Sequence, residues 1–136
     1  MSDLKTKLAW NRDKSCKSDF EGAAPVNVVA KSILNEYKGH WSPVHMTVAS
    51  AETCFFVTFL MILEKARVEI TSYESEAEGV LGMVDDKHSA ITGITIRPKV
   101  GLKNESDRSK LPQLYQKTEE YCVVGNSFNF KIKIET

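Results

Sequence analysis

Along this chain the spacing of hydrophobic positions changes several times, and each change marks an element. From Phe55 to Leu63 every residue except Thr58 is apolar, inside the longer stretch SPVHMTVASAETCFFVTFLMILEKARVEI. That predicts a helix from about Pro43 or Val44 to Ala66 whose second half is apolar on every face, which a surface helix would not tolerate. KGHWSP ahead of it reads as a loop: Gly39 breaks the preceding element, Ser42 can cap a helix, and Pro43 suits its first turn. The helix must be covered all round. Either it is enclosed at the centre of a monomer, or it lies near the shared core of an intimate oligomer.

After the helix the period drops to two. Val68, Ile70 and Ser72 alternate with Glu69 and Thr71, and Ile94, Ile96, Val100 and Leu102 alternate with Thr95, Arg97, Lys99 and Gly101. Antiparallel strands with one wet face are expected over residues 68–102, joined through MVDDKHSA, with Pro98 at an edge or bulge. In DRSKLPQLYQKTEEYC, Leu111, Leu114, Tyr115 and Cys122 can share one side while Lys110, Gln113, Lys117 and Glu120 face water. That predicts an amphipathic helix over 107–123. SFNFKIKIET then alternates Phe128, Phe130, Ile132 and Ile134 with Asn129, Lys131 and Lys133, which reads as a last strand over 127–135. Residues 1–40 are polar and mixed. They suggest two or three short strands, although APVNVVAKSILNEY could also be a helix. The sum is a single α+β domain over 1–136.

Length and charge narrow the class. A chain of 136 residues suits one domain with a real core. Eighteen basic and eighteen acidic side chains cancel, so no net field draws the chain to nucleic acid or to an anionic membrane. MSDLKTKLAW carries charges where a signal peptide needs an apolar core, so a cytoplasmic protein is expected. The run at 54–63 is too short to span a bilayer, and extending it back to Val44 brings in His45 and Glu52. No glycine-rich phosphate loop is present, because Gly79 and Gly82 in EGVLGMVDD lack the required pattern. No nucleotide cofactor is expected, and no metal, since His40 and His45 are the only short-spaced pair among Cys16, His40, His45 and Cys54.

The chemistry rests on thiols. Cys16, Cys54 and Cys122 in a cytoplasmic chain are expected to be reduced. Cys54 lies inside the apolar helix and Cys122 at the end of the second one, with 67 residues between them and no CxxC motif. By themselves they are either two packing residues or a reactive pair. Cys16, in the charged and turn-like RDKSCKSD, reads as an exposed surface thiol, and His88 as a solvated turn residue. Trp10 and Trp41 either line an apolar pocket or pack in a core or interface.

Two signatures decide between these readings. SPVHMTVASAETCFF resembles the core signature of the OsmC/Ohr family, in which a proline opens a helix and small residues lead to a cysteine eleven positions later. Pro43 and Cys54 keep that spacing, with Ala49, Ser50 and Ala51 between them. EYCVVGNSF resembles the family's second signature, a Cys-Pro-Val-Ser-like segment before a final strand; Cys122, Val123, Asn126 and Ser127 fit it, while Val124 and Gly125 depart from it. ITGITIRPKVGL is similar to the long strand that precedes that helix. The resemblance covers residues of about 40–136 well and the first 40 loosely.

The resemblance implies an OsmC-like fold, with antiparallel sheets packed around a long buried central helix in an intertwined homodimer. It also implies a thiol peroxidase for hydroperoxides, organic ones preferred. Cys54 would be the nucleophile that becomes a sulfenic acid, and Cys122 the resolving thiol that closes a disulfide. A dithiol reductant, lipoyl-type or thioredoxin-like, would reopen it. An apolar setting disfavours a thiolate, so a cation is required. AWNRDKS places Arg12 and Asp13 in a setting that resembles the Gly-Gly-Arg-Asp-like segment supplying the arginine in one branch of the family, which makes Arg12 the candidate; a plain solvated charge is its other reading. Lys31, Lys38 and Arg97 are the other cations considered. The family's glutamate follows the helix-opening proline directly, and that position is Val44 here. His45 is next along, and Glu52 sits two residues before Cys54 on a different side of the helix. The departure at Val44 sets up the alternative of a non-catalytic OsmC-like stress or binding protein that holds a small hydrophobic ligand in an apolar dimer cavity. A structural dimer with inert thiols is the third reading.

Overall fold

The structure, a computed structural model, describes residues 4–136, so the first three residues of the segment expected to hold the N-terminal strands lie outside it. The described chain divides into two compact units, residues 1–47 and 48–136. In the first, β1 (Lys7–Trp10), β2 (Cys16–Asp19) and β3 (Val26–Val28) form an antiparallel meander in that order. The β1–β2 turn is held by Asp13, whose Oδ1 accepts from the Ser15 amide at 2.7 Å and its hydroxyl at 2.6 Å. At its tip Arg12 takes a left-handed φ of 71°, uncommon for a side chain this large. Past a 3-10 turn at Lys31–Glu36 the chain returns beside β3, where Trp41 donates to Asn27 and accepts from Val29.

Helix α1 (Pro43–Ala66) starts and stops for local reasons. The Ser42 hydroxyl accepts from the His45 amide at 3.1 Å, which satisfies an orphan donor of the first turn. At the far end Arg67 adopts φ 58°, and the Val68 and Arg67 amides donate to Leu63 and Glu64. That 6→1 and 5→2 pair is a Schellman stop, and Val68 and Leu63 are both buried beneath it.

In the second unit β4 (Ile70–Met83) and β5 (Ser89–Leu102) make a 14-residue antiparallel hairpin. Ile94, Ile96, Val100 and Leu102 are all buried, as their alternation predicts. A 3-10 turn at Glu105–Lys110 leads into α2 (Leu111–Tyr121), which buries Leu111, Tyr115 and Thr118. The core joins Ala51, Phe55, Phe59 and Leu63 of α1 to Tyr115 and the hairpin, with ring centroids of Phe59 and Tyr115 5.2 Å apart. Gly79 lets α1 lie close on the sheet, because a Cβ there would stand 2.5 Å from a Val48 methyl.

One expectation is corrected and two are narrowed. The strand expected over 127–135 shrinks to β6 (Lys133–Ile134), which pairs with β5 and runs parallel to it. Burial still alternates through Phe128, Phe130, Ile132 and Ile134, because an extended backbone puts successive side chains on opposite faces whether or not a ladder forms. Second, α1 is not enclosed within the single chain. Val57, Leu60 and Met61 are exposed on it, at 54%, 41% and 61%. Third, the helix as a whole is long and apolar enough, by length and composition alone, to cross a membrane, although the 54–63 run is not. Its other face is nevertheless committed to the protein core.

Candidate functional site

Within the second unit the fold sets Cys54 and Cys122 near enough for one to influence the other's ionisation. Cys54 lies on α1, half-buried, one residue before the buried Phe55. Cys122 is the residue at which α2 ends; its ψ of 105° leaves the helical region and it is 2% exposed. The chain then turns through a 3-10 segment at Gly125–Ser127, so that the Gly125 amide points back at the Cys122 sulfur at 3.4 Å. Burial pushes the Cys122 thiol up to about 11, and a hydrogen bond with the Cys54 sulfur and its charge push the same way, against the Gly125 and Val124 amides. Cys122 therefore holds its proton at neutral pH. Both cysteines are free thiols.

Beside Cys122 lies a cavity of about 490 Å³, within the size range of small-ligand sites. Its walls include Phe55, Phe128 and Phe130, the last two stacked with centroids 4.9 Å apart. Glu119 also lines it, with a carboxyl raised by burial against the opposing charge of Lys131. The alternation of SFNFKIKIET signalled these aromatics as core positions, and only the turn after Cys122 makes them a cavity wall.

The carboxylate of Glu52 does not turn to Cys54's chemistry; it accepts from the Ser75 hydroxyl at 2.5 Å. Tyr73 is nearby, its ring 4.5 Å from that of Phe56, and its hydroxyl is buried without a hydrogen-bond partner among the described residues. Burial raises that phenol to about 12. Nothing in the local alternation of β4 marks this polar group in the apolar layer.

In the first unit, the Arg12 guanidinium is exposed and stacks over the Trp10 ring at 5.1 Å, and no carboxylate pairs with it among the described residues. The Trp10 indole in turn donates to the Asp13 carbonyl at 2.6 Å. Both tryptophans are exposed, so neither packs in the core of the single chain. The His45 ring bonds the buried Ser42 hydroxyl at 2.6 Å, so its place in the helix cap is structural. Of the alternative cations, Arg97 is engaged twice, by Glu135 at 2.9 Å and Glu78 at 3.1 Å.

Two surface readings change. Cys16 lies on β2, paired across to Trp10 and Val28 and half-buried, and not in an exposed turn. A charged sequence can still be a strand when its alternate side chains face water. His88 does sit at the hairpin end but bonds the Asp85 carboxylate at 2.8 Å, which lowers that carboxyl. No group of three or more His, Cys, Asp or Glu side chains is placed to hold a metal among the described residues.

A family model of OsmC-like proteins matches residues 36–136, a span that holds α1, the hairpin, α2, Cys54 and Cys122. The chain belongs to the OsmC-like protein family. Arg12 lies outside the matched span. The OsmC fold extends over the described chain: an OsmC-like protein of unknown function from Vibrio cholerae superposes with a TM-score of 0.88 at 22% identity, covering 99% of each chain. The organic hydroperoxide resistance protein OhrB of Bacillus subtilis matches at 0.71 and 22%, over 96% of this chain and 95% of that one. An organic hydroperoxide resistance protein OsmC from Legionella pneumophila matches at 0.74 and 14%, over 99% and 95%. A curated relative, the uncharacterized protein YmaD of Bacillus subtilis, is 22% identical over 97 residues. That stretch is 69% of this chain and 64% of YmaD, so the chain spans just under two thirds of that relative's length.

Proposed function

We propose that this OsmC-like protein is a thiol peroxidase that reduces hydroperoxides, organic ones by preference. Membership of a family with structural relatives named organic hydroperoxide resistance proteins supports a peroxide-related role. The observation that carries the finer reading is the placement of the Cys54 and Cys122 thiols near enough for one to influence the other's ionisation. The Cys54 thiolate attacks the terminal peroxide oxygen, the O–O bond breaks, and the alkoxide leaves as an alcohol on taking a proton. The Cys122 sulfur then attacks the resulting sulfenic acid, its proton leaving with the hydroxyl as water, and a Cys54–Cys122 disulfide remains. A thiol held protonated suits the second role, since it does not compete for the peroxide.

Arg12 is the cation we assign to the Cys54 thiolate, and the missing carboxylate at Val44 leaves it without the family's usual partner. Arg12→Ala should slow the oxidation step, and Arg12→Lys should restore part of the rate. The reductant is a dithiol, and the setting a cytoplasm that keeps both thiols reduced. The exposed Val57, Leu60 and Met61 on α1 support a homodimer. Sedimentation at micromolar concentration tests this, and a stable monomer would count against it.

The deciding experiment is a single turnover with one equivalent of cumene hydroperoxide, followed by intact and peptide mass spectrometry. Loss of two hydrogens with a Cys54–Cys122 crosslink is expected. Thiols unmodified over minutes would overturn the peroxidase and favour the binding-protein reading, with a small apolar ligand in the cavity.

A further inference from the structure

A thiol that holds its proton at neutral pH is a poor nucleophile, and the closing of the disulfide falls to such a thiol. With Cys122 pushed up to about 11, about one molecule in ten thousand carries its thiolate at pH 7. That step needs a base. Glu119 stands on α2 three residues before Cys122, a spacing that sets two side chains beside each other on one helix face. Both residues line the cavity of about 490 Å³. We infer that the Glu119 carboxylate takes the proton from the Cys122 thiol as that sulfur closes the bond to Cys54. The inference rests on the peroxidase reading and adds to it the group that drives resolution.

The other ionisable groups around the cavity do not suit the role. From α2 come Glu119 and Glu120, from the segment after the 3-10 turn comes Lys131, and the α1 wall is Phe55. Glu120 is exposed and two residues from Cys122, on a different side of the helix. Lys131 offers only donors. Glu119 is half-buried, and burial raises its carboxyl against the Lys131 charge. A carboxylate raised in this way is a stronger base than a solvated one, and its ionisation moves toward the pH at which general bases work best. The Gly125 amide, which points at the Cys122 sulfur at 3.4 Å, stabilises the charge that forms there.

The step balances. Glu119 takes the thiol proton, and the Cys122 sulfur bonds to the sulfur of the Cys54 sulfenic acid. The S–O bond breaks with its electron pair on oxygen. The departing hydroxide gains a proton and leaves as water, while the Glu119 carboxyl gives up through solvent the proton it took. No outside oxidant or reductant enters, because Cys122 is oxidised as the sulfenic sulfur is reduced.

The test follows the full chain through one turnover with one equivalent of cumene hydroperoxide, between about pH 5 and pH 9. Samples are quenched at intervals with dimedone and a maleimide, and peptide mass spectrometry follows the Cys54 sulfenic acid and the disulfide separately. In Glu119→Gln the sulfenic acid should form at the wild-type rate, while closure slows about tenfold or more near neutral pH. Wild-type closure should level off once the carboxyl is ionised, whereas closure in the variant should climb with pH in step with the thiolate. Formate, small enough to enter the cavity, should restore closure in Glu119→Ala. Equal closure rates in the wild type and Glu119→Gln overturn the inference. So does a slowed variant whose pH profile keeps the wild-type shape and which formate leaves slow, for that is a structural effect. If peroxide leaves Cys54 unoxidised, the peroxidase reading falls. Closure is then read on the diamide adduct of Cys54, which Cys122 resolves by the same displacement, and its dependence on Glu119 still decides the inference. If neither oxidant joins the thiols, both fall.

Discussion

Cys54 and Cys122 carry the same group and lie near enough for one to influence the other's ionisation, yet the fold holds them by different means. Cys54 is one position in an uninterrupted 24-residue helix, and its neighbours Ala51 and Phe55 are part of the main core. Cys122 stands where a helix has just ended, in a local turn whose amides point at its sulfur. The first thiol is placed by a rigid element, so its position is as secure as the core. The second is placed by a turn of a few residues at the end of α2. In the proposed cycle Cys122 must close a bond and later release it, whereas Cys54 must stay where the peroxide meets it.

The largest expected effect breaks the pair outright. Cys54→Ser should abolish oxidation of the protein by cumene hydroperoxide, whereas Cys122→Ser should still be oxidised once and yield a sulfenic acid that dimedone traps. Equal labelling of both variants by dimedone would erase the distinction between the two roles.

Next comes the support beneath each thiol. Phe59 is fully buried against Phe55 and Tyr115, so Phe59→Ala should cost about 3–5 kcal/mol in a urea titration. Such a loss would threaten folding as a whole, in keeping with Cys54 riding on the core.

A smaller effect separates the thiols by pH. In the unfolded chain a thiol ionises near 9, and in the folded protein Cys122 does so at about 11. Between those values the unfolded chain has released a proton that the folded one keeps, so stability present below pH 9 falls as pH rises toward 11. Tyr73 and Tyr115, both raised by burial, pull the same way at higher pH. Reduced wild-type protein should therefore lose urea resistance between pH 8.5 and 10.5 more steeply than Cys122→Ser, roughly in proportion to the missing thiol. Parallel curves would mean that Cys122 is not the buried acid described.

The smallest effect probes the cap. A Cβ at Gly125 would stand 3.1 Å from Ile132 Cδ1 and 3.3 Å from the Cys122 sulfur. Gly125→Ala should cost about 1 kcal/mol and shift the Cys122 titration while leaving Phe59 and its neighbours in place. A change in Cys54 reactivity as large as that in Cys122 would show that the two supports are not separate.

Much of this was legible in the chain itself. The cap at Ser42, the apolar run of α1, the alternation of Ile94, Ile96, Val100 and Leu102, and the amphipathic stripe of α2 are signals contained within a dozen residues, and local backbone preference and period write them directly. The family signatures around Cys54 and Cys122 are equally local. Three things were not local. The period of SFNFKIKIET specifies an extended backbone, but whether a neighbouring strand is free to pair with it depends on where the hairpin ends. The apolar circumference of α1 requires cover, but how much of it one chain supplies depends on how many other elements reach it. The meeting of two thiols with 67 residues between them, and the cavity on one side of that meeting, follow from α1 and α2 packing on the same hairpin. Sequence determines which residues prefer which element and which face is apolar; only the closure of distant elements, favoured by shared burial against its entropy cost, decides which functional groups meet.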